Sequence, residues 1–549
     1  MTWYRLKILR VVVSVTILIG LTLALLGGTS SFLAKVGSWL AAIQLVPSVL
    51  SLFAGSFISL AALLILIVTL LAGRVYCSTI CPLGALQDVI ARVRSLLDKK
   101  HKPLAYAKPV PRIRAAVLVL VVAGVISGWT SVVLSFLDPY SNFGRIVSEL
   151  IRPLFYQVFR IVPGWAKSQT DAGVHPAAVH WAGFGALLVP LVVLGALIWL
   201  AATRGRLYCN TICPVGALLG LVSRQAAFRL QLDADCRKCN KCARACKAQC
   251  IDTRTGVIDN SRCVSCLSCI PVCAGGYVGY RFRWKLHGRK NLVSSTPLVT
   301  QIEARAMESV IAPDHRRRAV FTAGALALVG AVGGESLWAG SAKDSDLSGE
   351  LAGSTKSTSS ASESRLVRPP GSASLEQYLD RCTACNLCIS ACPTQALQPS
   401  SLQAGLSGLM KPRMDYAGSF CDYDCNRCGH VCPGGALAAL TLADKRRTRI
   451  GLAKLDASRC VVQSKGIACT LCIDKCPAKA IDSVPYREHL RLPHVKALQC
   501  IGCGRCEHEC PVPDRKAITI FGLLRETHVP VDTQHENAGA LAHTERIGF

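Results

Sequence analysis

Twenty-four of the 29 cysteines in this 549-residue chain fall into six groups of four. Four groups share the spacing C-x2-C-x2-C-x3-C: Cys236, Cys239, Cys242 and Cys246; Cys263, Cys266, Cys269 and Cys273; Cys382, Cys385, Cys388 and Cys392; Cys500, Cys503, Cys506 and Cys510. Two are variants. Cys421, Cys425, Cys428 and Cys432 open with three intervening residues, and Cys460, Cys469, Cys472 and Cys476 carry a longer insertion after the first cysteine. The last four groups all end in Cys-Pro, at Pro393, Pro433, Pro477 and Pro511. A tight loop of this kind directs three thiolates to three irons of one four-iron cubane, and the fourth cysteine, carried off on the next turn, ligates a neighbouring cluster. Structural zinc sites join two separated ligand pairs instead. Disulfide scaffolds belong to small secreted domains.

These segments resemble bacterial-type ferredoxins. That resemblance implies six 4Fe-4S clusters and a crossed pairing in the first two groups, with Cys273 joining Cys236, Cys239 and Cys242, and Cys246 joining Cys263, Cys266 and Cys269. Lys247 and Ala274 stand where ferredoxins usually have proline, and Cys250 is spare, either a free thiol or a replacement for Cys246. In the later four groups the regular spacings are outermost and the variants inside. That symmetry leads us to expect nested pairing, first with fourth and second with third. Small cluster domains have little apolar core, so metal ligation should supply much of their folding energy.

The chain as a whole is apolar, with a mean hydropathy of +0.36. Four runs, Val11–Leu26, Val49–Ala72, Ala115–Leu134 and Ala182–Ala202, approach the ~20 residues a helix needs to span a bilayer. Arg10 would snorkel at the edge of the first. The loop Gly73–Arg114 is rich in Lys and Arg, whereas Gly27–Ser48 holds only Lys35. The net charge of +28 therefore reads as positive-inside charge, with the N-terminus cytoplasmic, and not as a nucleic-acid footprint. Asn142–Trp165 has helical apolar spacing with interleaved arginines and reads either as a helix on the outer membrane surface or as a packed loop helix. A lone His180 at the edge of the fourth run reads as interfacial, not as a haem ligand.

After His315, Arg317 and Arg318 precede a short apolar run, Ala319–Val332, and a Ser/Gly-rich linker. At a chain start this would read as an export signal. Here it reads as a twin-arginine-like segment, as a fifth membrane anchor, or as an apolar helix that leaves everything inside. The expected organisation is a membrane domain over 1–205, a two-cluster domain over 206–300, the apolar segment and linker over 301–370, a four-cluster domain over 371–525 and a polar tail over 526–549.

One motif occurs twice. RVYCSTICPLGAL (Arg74–Leu86) matches RLYCNTICPVGAL (Arg206–Leu218), each at the cytoplasmic end of an apolar run. Cys77, Cys81, Cys209 and Cys213 could meet near a pseudo-twofold axis. The i, i+4 spacing would put each pair on one helical face, and Pro82 and Pro214 suit the first residue of a helix. Four thiolates there could hold a further cluster or metal or form a redox dithiol pair, or the turn could simply dock a domain.

The two CxxxCP motifs followed by two cysteine quartets resemble the NapH/MauN membrane ferredoxins over about Met1–Thr300, and the NosR and CcoG families share parts of the pattern. From His315 onward the chain resembles the NapG/MauM polyferredoxins, which are exported folded. The resemblance implies a membrane α-helical bundle (four helices plus a fifth anchor) with two α+β ferredoxin-like 4Fe-4S regions. It implies electron transfer from the quinone pool, or from a cytoplasmic donor, to a periplasmic cytochrome or to a reductase or dehydrogenase. An accessory role in maturing or reactivating a respiratory metalloenzyme, or in handling its metal, is the other reading. No Walker motif, nucleophile elbow or dinucleotide fingerprint is present.

Overall fold

A computed structural model describes residues 2–27, 30–52, 60–97, 106–159, 184–282, 366–401, 405–487 and 489–530. Arg317, Arg318, the run Ala319–Val332, the linker and His180 lie outside the described residues.

Helix α1 (Thr2–Gly27) starts well before the apolar run and covers 26 residues, about 39 Å at the usual rise of ~1.5 Å per residue. It and Ala186–Arg204, within the helix Phe184–Arg204, are long and apolar enough to cross a membrane. Of the other two runs, the third does not form a single span. The second comprises α3 (Leu45–Leu52) and α4 (Leu60–Ala72), with 53–59 outside the described residues. The third gives α7 (Pro111–Ile126) and α8 (Thr130–Leu137), separated at Gly128, whose φ of +75° ends the first helix. Four unbroken spans are thus not what forms. Part of the stretch that reads as the loop Gly27–Ser48 is α2 (Ser31–Ala42), which meets α3 at a bend of 85°, a broken span or re-entrant pair. Leu64, Leu71, Val119, Val192 and Trp199 are each half exposed or more, an apolar surface suited to lipid. Arg10 does not snorkel. It is buried, and its Nη1 donates to the Ser78 carbonyl at 2.9 Å.

Each CxxxCP motif makes a short helical turn followed by a proline-started helix: α5 (Tyr76–Thr79) then α6 (Pro82–Leu97), and Leu207–Thr211 then Pro214–Ser223. The two cysteines of a motif therefore sit on different elements, not on one helical face. Cys213 caps its helix, accepting from the Gly216 N–H at 3.4 Å.

After α8, Asp138 accepts from the Ser141 N–H at 2.8 Å and starts α9 (Pro139–Arg145). A π turn, Ile146–Ile151, leads into α10 (Arg152–Phe159). Over its described residues this arm is a packed helical segment and not a free surface helix, because much of it is buried against the C-terminal cysteine domain.

Both cysteine domains are small antiparallel ribbons with short helices. In the first, β1 (Phe228–Leu232) pairs with β4 (Val278–Phe282) and β2 (Ile251–Asp252) with β3 (Val257–Ile258). In the second, β5 (Leu397–Pro399) pairs with β6 (Pro412–Met414), β7 (Thr448–Leu455) with β10 (Ile518–His528), and β8 (Ile481–Arg487) with β9 (Leu490–Val495). The second domain exceeds its expected limits of 371 and 525. Arg368 donates to Ser372 Oγ (3.0 Å) and the Leu524 carbonyl (2.9 Å), and Glu526 accepts from the Ser372 N–H (2.9 Å). Strand pairing holds Thr527 and His528 opposite Arg449 and Thr448.

Candidate metal centres

Every regular quartet is shaped by the same backbone device. The residues on either side of its second cysteine have positive φ: Lys238 and Asn240, Ser265 and Leu267, Ala384 and Asn386, Gly502 and Gly504. Two left-handed residues curl the loop around a centre, so successive thiols turn inward. Outside glycine this conformation is uncommon, and ligation has to offset its strain. The two variant quartets have no such pair at the matching places.

The folded domains bring the thiols together as three from one quartet and one from its partner. Cys242 lies within electrostatic reach of Cys236, Cys239 and Cys273. Cys246, Cys263, Cys266 and Cys269 line one void of about 290 Å³. Crossed pairing therefore holds for the first domain. Cys250 lines the same void, with its sulfur 3.5 Å from that of Cys246. It stands four residues beyond a fourth cysteine, where the later quartets place the buried Ala396, Ala436 and Ala480, so a thiol fills the position of a methyl group.

In the second domain, nested pairing is wrong. Cys382, Cys385, Cys388 and Cys432 line a void of about 400 Å³, and Cys460, Cys469, Cys472 and Cys510 line one of about 350 Å³. Cys428 is in reach of Cys421, Cys425 and Cys392, and Cys506 of Cys503, Cys500 and Cys476. Pairing is thus between consecutive quartets, because each compact lobe closes on itself before the next begins. Sites lined by four cysteines suit a four-iron group. Among the described residues, no group of three or more His, Cys, Asp or Glu is set to hold a single ion.

The two lobes of the second domain meet where the Cys421 N–H donates to the Cys503 carbonyl at 2.9 Å. The site of Cys382, Cys385, Cys388 and Cys432 faces the membrane-side arm. A Cβ on Gly144 would lie 2.2 Å from the Cys385 carbonyl oxygen, so only glycine allows this approach. Around it runs a buried polar seam. Arg152 donates to Gln395 Oε1 (2.8 Å), Asn386 to Ser148 Oγ (3.1 Å), and Lys411 to Ser131 Oγ (3.1 Å).

Asn386 also donates to Glu149, whose other carboxylate oxygen is buried without a partner. Burial pushes the Glu149 carboxyl up to about 7, against the opposing pull of Arg145 and Asn386. A carboxyl raised in the folded state stabilises it fully below the ordinary value of ~4.3 and stops doing so as pH rises through about 7. The docked domain should therefore lose stability, of order 3 kcal/mol at most, as pH is raised through that window. Glu149→Gln should flatten the dependence, read as melting temperature against pH. An unchanged slope in the variant would assign the dependence elsewhere.

The first cysteine domain sits against the opposite ends of the helices. Ser265 Oγ donates to the Ala72 carbonyl (3.2 Å), the Ala227 N–H to Leu70 (2.8 Å), Arg262 to Ala107 (2.7 Å), and the Arg206 N–H to Lys247 (3.0 Å). Burial works to raise the Asp88 carboxyl, but Arg206 and Lys247 together hold it well below the usual carboxylate range.

Sequence comparison meets this geometry directly. A family described as a 4Fe-4S dicluster domain matches residues 381–437, which span two consecutive quartets, and 466–514, which span the last two but for Cys460. The chain belongs to the ferredoxin-type 4Fe-4S proteins. A second family, described as a 4Fe-4S binding domain, matches residues 47–101, 186–232 and 428–452. The methylamine utilization ferredoxin-type protein MauM of Paracoccus denitrificans is 32% identical over 161 residues, 28% of this chain and 70% of its own length. The ferredoxin-type protein NapG of Escherichia coli K12 is 32% identical over 185 residues, 32% of this chain and 78% of its own. NapF of the same strain is 29% identical over 146 residues, 27% of this chain and 80% of its own. No solved structure matches. Each of these relatives matches about a third of this ferredoxin-type chain or less, and the chain has two apolar helices fit to span a membrane.

What the cysteine spacing could not reveal is the set of buried arginines. Arg74, Arg145, Arg152 and Arg206 are all nearly inaccessible to solvent. Arg145 and Arg152 stand in the arm as ordinary amphipathic charges, and only the docked domain makes them interior residues.

Proposed function

We propose that the protein is a transmembrane electron conduit with six 4Fe-4S clusters, one at each of the six thiol sets described above. It takes electrons from quinol or a cytoplasmic donor and delivers them to a periplasmic cytochrome or redox enzyme. One observation carries the reading: the two cysteine domains touch opposite ends of α1. Trp3 packs on Tyr280 of the first domain, ring centroids 6.1 Å apart. Near the other end, the Leu26 carbonyl accepts from Tyr156 of the arm at 3.3 Å, and Leu387 of the second domain approaches Gly37 of α2. About 35 Å of helix separates Trp3 from Leu26 at ~1.5 Å per residue, more than the ~30 Å hydrocarbon core of a bilayer.

The charge pattern supports the same orientation. Every contact to the first domain lies beside loops rich in Lys and Arg, where positive-inside charge puts the cytoplasm. Bound 4Fe-4S clusters pass single electrons. The protein's own part is to hold their thiolates in a fixed series. Burial of Cys242, Cys263, Cys460 and Cys506 keeps most water from the sites. Direction is not set by the ligands, since such clusters span about −700 to +450 mV.

Topology tests the reading. Alkaline phosphatase fused after Phe549 should be active, whereas the same fusion in the loop around residue 100 should be silent. Activity in both fusions, or silence in both with the protein made, would place both cluster domains on one face and end the conduit reading; activity in the loop fusion alone would reverse its orientation.

A further inference from the structure

The duplicated CxxxCP motifs form one site. Cys77, Cys81, Cys209 and Cys213 are each 2–3% exposed. Cys213 lies within electrostatic reach of the other three, and Cys81 of Cys77 and Cys209. The two halves clamp each other reciprocally. Arg74 of the first motif donates to the Cys209 carbonyl at 2.9 Å, and Arg206 of the second donates to the Cys77 carbonyl at 2.6 Å. The glycines obey the same symmetry. A Cβ on Gly84 would lie 2.4 Å from the Cys77 carbonyl oxygen, and one on Gly216 would lie 1.9 Å from that of Cys209.

Each sulfur also has its own N–H donor. Arg74 Nη2 reaches Cys77 Sγ at 3.8 Å, Gln87 Nε2 reaches Cys209 Sγ at 3.2 Å, and the Gly216 N–H reaches Cys213 Sγ at 3.4 Å. The Gly84 N–H serves Cys81. Such donors are placed to hydrogen-bond a ligating sulfur.

Charge supplies an independent argument. Arg206 has its counter-ion in Asp88 at 2.8 Å. Arg74 is fully buried, and its partners are Asn210 Oδ1, the Ser261 and Cys209 carbonyls, and Cys77 Sγ, with no carboxylate among them. Arg114 stands close by, donating to Ser261 Oγ at 3.0 Å. A buried guanidinium without an anion is costly. Four neutral thiols would leave Arg74 uncompensated. Four thiolates on an oxidised four-iron cubane form a dianion, which compensates it. The chain segments 47–101 and 186–232, matched by the 4Fe-4S binding family, are the ones that carry these four cysteines.

The site also occupies the gap in the series. On one side, Arg206 lies within electrostatic reach of Cys266 in the first cysteine domain. On the other, the Tyr208 hydroxyl donates to the Leu137 carbonyl at 3.2 Å, beside Asp138, whose charge reaches Cys385 in the second. Electron hops weaken steeply with distance, and the length of α1 is too far for one hop.

We propose that Cys77, Cys81, Cys209 and Cys213 ligate a seventh four-iron centre, midway between the two cysteine domains. The ligation stands on the geometry; the relay role rests on the conduit reading. The step is a one-electron reduction of the centre by the first domain's side, followed by its one-electron reoxidation by the second, with no bond made or broken.

The test uses the full-length protein prepared anaerobically. Iron and acid-labile sulfide should approach about 28 per chain, at four per cubane, against about 24 for the quartets alone. Cys81→Ser with Cys213→Ser should lower the count by about four while the quartet EPR signals remain. Should that variant fail to fold, Gln87→Leu, which removes one donor to sulfur, should shift the midpoint potential of a single centre at full iron content. A count near 24 in the wild type, unchanged in the double variant, with the four cysteines open to alkylation in the folded protein, would overturn the centre and leave the conduit untouched. Loss of four irons with unimpaired electron passage between the two domains would overturn the relay.

Discussion

Gly144→Val is expected to separate the second cysteine domain from the arm while leaving its clusters intact. The Cβ would meet the Cys385 backbone oxygen at 2.2 Å, and backbone cannot turn aside as a flexible side chain can. The domain is also held by the linker, so the loss appears as undocking, not release. Overpacking of this kind costs about 1–3 kcal/mol, which also uncovers the seam of Arg145, Arg152, Glu149 and Lys411. Electron passage between the two cysteine domains should fall sharply, with iron content and EPR signals unchanged. Gly195→Val is the control, since a Cβ there meets nothing within 4 Å. Equal passage in the two variants would mean that the contact at Cys385 is not on the route.

Cys432→Ala should empty the site of Cys382, Cys385 and Cys388 and no other. About four irons should go, and the cysteines newly open to alkylation should be those three. Cys510→Ala should instead expose Cys460, Cys469 and Cys472. Nested pairing demands a different result, in which Cys510→Ala exposes Cys382, Cys385 and Cys388. Peptide mapping of the alkylated protein separates the two outcomes. The effect should be large, because cluster domains of this size depend on ligation for much of their folding energy. The lobe of Cys382–Cys432 should therefore loosen before its neighbour does.

The thiol sites were legible because three of the four ligands lie within a span of about seven residues in the regular quartets, and local spacing alone brings them to one centre. The left-handed pair around each second cysteine follows from that same local chemistry. Two apolar helices were legible for a similar reason: burial in lipid requires only a run of apolar residues. The third run reads equally well, yet it breaks, and Gly128 permits the break.

The partner of each set of three was not legible. Cys432 lies some distance along the chain from Cys388, and symmetry of spacing pointed to the wrong quartet. Lobe closure decides it, since strands β5 and β6 fold the first lobe before the second begins. Arg10 shows the same limit. Its place at the edge of an apolar run predicts a snorkelling charge, but an unfilled carbonyl on Ser78 draws it inward.

By itself, then, the sequence determined the kind of metal group, the length and apolarity that fit α1 and Phe184–Arg204 to span a membrane, and the existence of two matching CxxxCP motifs. All of these depend on neighbours a few residues apart. Tertiary structure alone decided the order of the sites, the convergence of Cys77 and Cys81 with Cys209 and Cys213, and the burial of Arg74 and Arg206. Those depend on residues more than a hundred positions apart, and only the packed helices bring them within hydrogen-bonding distance.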